Sequence, residues 1–104
     1  MSESNSTSLK FRPSKVYVRK VVSAQLKKKA PSGYSLVVPE DGVMYVSDGV
    51  KKEHNRWYVV VKPEPEYIAD TRRQEYLSIL GEVQDMIHKK YHWTVFLTSM
   101  LPVV

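Results

Sequence analysis

The most regular alternation of apolar and polar positions lies between Trp57 and Thr98 of the 104-residue chain. Trp57-Tyr58-Val59-Val60-Val61 is an unbroken run of β-formers. It predicts a central strand over 57–62, apolar on both faces and stopped by Pro63 and Pro65. From Asp70 to Tyr91 the period changes. Tyr76, Leu77, Leu80, Val83, Ile87 and Tyr91 recur at three- and four-residue spacing, the stripe of an amphipathic helix. Thr71 followed by Gln74 has the capping-box pattern, and Asp70 is an alternative cap. Gly81 costs such a helix about 1 kcal/mol relative to Ala, which points to close packing there. Trp93 to Thr98 then reads as a last strand, followed by the apolar tail 100–104.

Upstream, Tyr34–Val38 and Val43–Ser47 are short strands separated by the turn residues Pro39-Glu40-Asp41-Gly42. The polar run from Asp48 to Arg56 reads as a long loop. Residues 14–29 fork. As a helix, Ser14 is the N-cap, and Val18, Val21, Val22 and Leu26 share one face. As a strand, Lys15 to Arg19 alternates and is rich in β-formers. The spacing favours the helix, and a strand within 15–22 stays open. Residues 1–13 form a polar and basic arm, leaving 14–104 as a single domain. The order α-β-β-β-α-β predicts an α+β fold, with about four strands in a mostly antiparallel sheet and two helices on one face. The connection from 57–62 to 93–98 is long enough for a parallel crossover, which would make the sheet mixed.

Charge changes this picture more than composition does. The net charge is +5 over the whole chain. Residues 1–30 hold eight basic side chains against one acidic, whereas residues 31–104 hold eight against ten. A cationic N-terminal third on a near-neutral body is the footprint of phosphate binding. The candidate contacts are Lys10, Arg12, Lys15, Arg19, Lys20, Lys27, Lys28 and Lys29, with Lys51, Lys52 and Arg56 as an extension. Phe11 and Tyr17 lie among them and could stack on bases. The competing, plainer role of such a surface is solubility.

Other chemistry has less to stand on. The chain has no cysteine, hence no disulfide or thiolate site, and it has no Gly-rich phosphate loop, nucleophile elbow or zinc-protease motif. No cofactor and no enzymatic activity are expected. Asp85, His88 and His92 are spaced along one side of a helix end, but without a further ligand they predict no metal site. No stretch reaches the ~18 apolar residues of a membrane span, and residues 1–8 lack a signal-peptide core, so a soluble intracellular protein (cytoplasmic or nucleoid-associated) is expected. The uncharged stretch from Trp93 to Val104 would invite β-pairing if it formed a sheet edge, which makes a homodimer through the C-terminal half a second expectation. An adaptor or inhibitor, docking through that strand or through the basic face, is the alternative to nucleic-acid binding.

The element order over about residues 14–91 resembles that of double-stranded-RNA-binding domains, a likeness of order alone. In that family a lysine-rich cluster opens the last helix, and here Asp70-Thr71-Arg72-Arg73-Gln74 stands at that place with two arginines. Lys15-Val16-Tyr17-Val18 is similar to the first strand of an RNA-recognition motif, without the aromatic-rich second motif. Neither likeness assigns the chain to a family.

Overall fold

Every second residue from Trp57 to Pro63 is buried while the residues between are only half-buried, and this alternation sets the two sides of the sheet. In a computed structural model that describes residues 13–47 and 56–99, the elements are α1 (Lys15–Lys29), β1 (Ser35–Val37), β2 (Val43–Val46), β3 (Arg56–Glu64), α2 (Ile68–Thr71), α3 (Arg73–Tyr91) and β4 (Val95–Ser99). The fold is α+β, as the pattern predicts. Residues 1–12, 48–55 and 100–104, on which most of the expected arm, most of the expected loop and the expected apolar tail fall, lie outside the described residues.

The α1 fork resolves to helix. The Ser14 hydroxyl accepts the Tyr17 N–H at 3.1 Å, and Val18, Val21, Val22, Gln25 and Leu26 are buried. Helix wins because that stripe has an apolar sheet and α3 to pack on.

β3 is the centre of the sheet. β2 pairs with it antiparallel (Val43 opposite Val59, Met44 opposite Tyr58), and β4 pairs with it parallel (Trp57 opposite Val95, Tyr58 opposite Phe96). Both cover the same part of β3, so they lie on opposite edges. β1 pairs antiparallel with the far end, Leu36 opposite Pro63.

Pro63 also fixes the side on which β1 lies. Lacking an N–H, it cannot belong to a hydrogen-bonded pair, so Glu64 and Lys62 are the positions that bond β1. Val60, two residues earlier, donates its N–H to Gly42 at 2.8 Å, next to β2. Positions 60, 62 and 64 point the same way, and β1 and β2 are therefore two segments of one interrupted edge strand.

The same argument corrects the expected strand end. Pro63 does not stop β3, which runs on to Glu64. The last β4 partner of β3 is Ser99, opposite Val61, so the missing donor of Pro63 faces no described strand.

Two further corrections concern the crossover. The predicted capping box does not form. The chain makes a short helix that buries Ile68 and Ala69, breaks at Arg72 (φ −127°, ψ 41°) and restarts at Arg73 without a side-chain cap. Arg72 is held by neighbours instead. It donates to the Ser32 carbonyl at 3.2 Å, pairs with Glu75 at 2.6 Å and lies 4.9 Å over the Tyr34 ring.

The α3 stripe is also rotated from the expected one. Ile79 is buried, whereas Leu77 is 41% exposed and Tyr91 is half-buried. Gly81 faces outward with nothing within 4 Å of where a Cβ would stand, so no close packing explains it. The helix ends at His92 in the left-handed conformation (φ 60°). Tyr76 crosses the core and donates its hydroxyl to the Val61 carbonyl at 2.7 Å. The described helices all lie on one side, packed on the face that carries Val43, Trp57, Val59, Val61 and Val95.

Candidate nucleic-acid interface

Six basic residues and no acidic one occupy α1, and the burial of Val18, Val22 and Leu26 decides how they spread. Lys20 and Lys27, seven residues apart, emerge on the outer side with exposed Val16 and Ala24. Lys15 and Lys28 are exposed at the two ends. None of these four lysines has an ion-pair partner among the described residues.

Arg19 and Lys29 are committed. Arg19 donates Nε and Nη2 to the Val38 carbonyl at 3.1 and 2.9 Å, which ties α1 to the chain just after β1. Lys29 reaches across to α3 and pairs with Glu82 at 3.5 Å. Along the β1 side, Arg19, Ser23 and Lys27 line a cleft of about 470 Å³ with the backbone of Ser35 to Val38. Lys27 therefore belongs to both the outer face and the cleft. The Lys27-Lys28-Lys29 run fans around the helix end and does not form one cluster.

Lys10, Arg12, Lys51 and Lys52 lie outside the described residues, as does Phe11. Tyr17 is not a free stacking ring. It meets Trp93 edge-on at 5.7 Å, and Trp93 in turn stacks on Tyr91. Arg56, expected in a loop, opens β3 instead and sits on the opposite side of the sheet from α1. The expected extension is thus a separate surface. Residues 15–18 are helical, which removes the likeness to a first RNA-recognition strand.

That second surface is the face of the sheet that no described element covers. Arg56, Tyr58, Val60 and Lys62 come from β3, Met44 and Val46 from β2, Phe96 and Thr98 from β4. Register aligns Met44, Tyr58 and Phe96 in one row across three strands. Met44 is 60% and Phe96 39% exposed. Tyr58 stacks on Phe96 (centroids 5.6 Å apart, planes 27°), while Arg56 donates Nε to the Tyr58 hydroxyl at 3.0 Å. Sequence reading took Val59-Val60-Val61 as buried on both faces and so missed this surface. The signal available was polar Arg56 and Lys62 in step with Tyr58.

Among the described residues β4 is an edge strand, and its edge is partly closed. Trp57 donates to the Thr94 carbonyl at 2.9 Å, so residues 94, 96 and 98 face β3 and the Leu97 N–H points outward. The Gln84 side chain from α3 accepts that N–H at 3.0 Å. A strand arriving from another chain would have to displace it.

His88 Nδ1 lies 3.3 Å from the Trp93 carbonyl, and no group of three potential metal ligands occurs among the described residues. Among the described residues, the environment of Tyr34 shifts its protonation. Burial, then its hydrogen bond to the Glu75 carboxylate at 3.1 Å, raises its pKa above the usual tyrosine value, with Arg72 opposing. This is a feature of how the chain before β1 packs on the start of α3.

Among the described residues, the architecture is a mixed four-stranded sheet with helices on one face and no described element over the other. Comparison with protein-family models, with curated proteins and with solved structures returned no match. No helix among the described residues is long and apolar enough to cross a membrane.

Proposed function

We propose that the protein binds nucleic acid through α1, with Lys20 and Lys27 as the central phosphate contacts and Lys15 and Lys28 extending them. The observation that carries this reading is that α1 holds six cations and no acid, four of them without a partner among the described residues. Unpaired lysines on a helix held rigidly against a sheet cost little to bring to a phosphate, because no existing ion pair has to be broken. Ser23 and Lys27 in the cleft beside β1 add a hydroxyl and a cation within reach of the same backbone. The basic arm 1–13 would add contacts before Ser14. The mechanism is electrostatic and needs neither metal nor cofactor.

Fluorescence anisotropy of labelled DNA and RNA across a salt series tests it. Wild type should bind with an affinity that falls linearly in log salt, and a Lys20→Glu/Lys27→Glu variant should bind at least tenfold more weakly. Its salt slope should be shallower by about one for each phosphate that is no longer neutralised. Lys29→Ala, at a position already paired with Glu82, should change binding much less. Absence of binding at low salt would sink the reading.

A further inference from the structure

The uncovered sheet face has features that phosphate binding through α1 leaves unused. Its Met44–Tyr58–Phe96 row is the one place among the described residues where stacked aromatic rings lie on an open face with no helix over them. Arg56 orients Tyr58 through the 3.0 Å bond to its hydroxyl, and its guanidinium lies 6.0 Å from the ring centroid. Arg56 and Lys62 bracket the row along β3, six residues or ~20 Å apart. Among the described residues, the acids beside the row stand at the Lys62 end, where Glu66 pairs with Lys62 at 3.2 Å and Glu64 ends the strand. Thr98, exposed beside Val60, adds a hydroxyl.

From this arrangement we infer that the open face is a stacking platform for unpaired bases, so that the nucleic acid the protein selects is single-stranded. An exposed ring already stacked on a second ring offers its free face to a third, and every base has such a face. In a duplex the base faces are hidden by their neighbours, and only an unpaired base can extend the Tyr58–Phe96 stack. The cations on either side of the row suit the phosphates that flank a stacked base, and Met44 packs against the base edge. The inference rests on the reading of the protein as a nucleic-acid binder, but it concerns a different surface, so the two can fail separately.

The test measures anisotropy with oligouridylate, oligodeoxythymidylate and a duplex of equal length. The proteins are wild type, Tyr58→Leu, Phe96→Leu, Tyr58→Phe and Lys20→Glu/Lys27→Glu, each checked for folding by circular dichroism. Wild type should prefer single strands. Tyr58→Leu and Phe96→Leu should each bind single strands about tenfold more weakly and the duplex almost as wild type does. Tyr58→Phe, which keeps the ring, should retain most of the single-strand affinity.

If the leucine variants bind as wild type while the lysine variant fails, the platform is overturned and the α1 reading stands. If the leucine variants fail and the lysine variant binds normally, the platform stands and the α1 reading falls. No binding to any probe overturns both. Sedimentation covers the remaining occupant: a wild-type dimer that Phe96→Glu dissociates would show that a second copy covers this face, and would also overturn the platform.

Discussion

Two sides of the same strand behave differently in this protein. On one side of β3, Trp57, Val59, Val61 and Pro63 are sealed under the helices. On the other, Arg56, Tyr58, Val60 and Lys62 look outward with no described element over them. The residue types overlap, with valines and an aromatic ring on both sides, so hydrophobicity alone does not separate them. The difference lies in what each side meets. The sealed side faces apolar stripes on α1 and α3, and the Tyr76 hydroxyl deep within it has the Val61 carbonyl as partner. The open side carries its polar groups at the surface, where aromatic rings, a methionine and two cations share a flat area.

The neighbouring valines give the sharpest test of this contrast. Val59→Ala, at a fully buried position, should cost about 2 kcal/mol or more through reduced burial and the cavity left behind. Val60→Ala, one residue on, should cost under ~1 kcal/mol, mostly β-propensity. Urea unfolding of the two variants measures both, and equal effects would mean that the second face is covered after all.

A smaller effect is expected at Tyr76. Tyr76→Phe keeps the ring and removes the donor to a buried carbonyl, and thermal denaturation should show a stability lower by about 1–2 kcal/mol. Smaller still, and opposite in sign, is Gly81→Ala on the outer side of α3. With open space around the new methyl, it should stabilise by about 1 kcal/mol, read as a raised Tm.

Much of the fold was legible in the residues. The β-forming run at 57–61, the period of the long helix, the Ser14 cap and the turn at 39–42 each carry a local signal strong enough to place an element. The crossover length made a parallel β3–β4 pair admissible, and the pair is present. Less legible was the start of the long helix. Thr71 and Gln74 have the right spacing for a box, but burial of Ile68 and Ala69 starts a helical turn early, and Arg72 is pinned to Ser32, Glu75 and Tyr34 instead. Of the site, the excess of cations in residues 1–30 was plain, but their directions were not. Arg19 and Lys29 are consumed by partners 19 and 53 residues away in sequence, which no local pattern reveals.

The sequence by itself determined that this chain folds as an α+β domain with a basic first helix, because periodicity and charge are local quantities. Only the tertiary structure decided which basic side chains of the first helix are committed to partners, as Arg19 is to Val38 and Lys29 to Glu82. It also decided that the missing donor of Pro63 faces no described strand, and that Met44, Tyr58 and Phe96 stand in one row. Those outcomes depend on strand register and on which face the helices cover, and both are set by interactions between residues far apart in the chain.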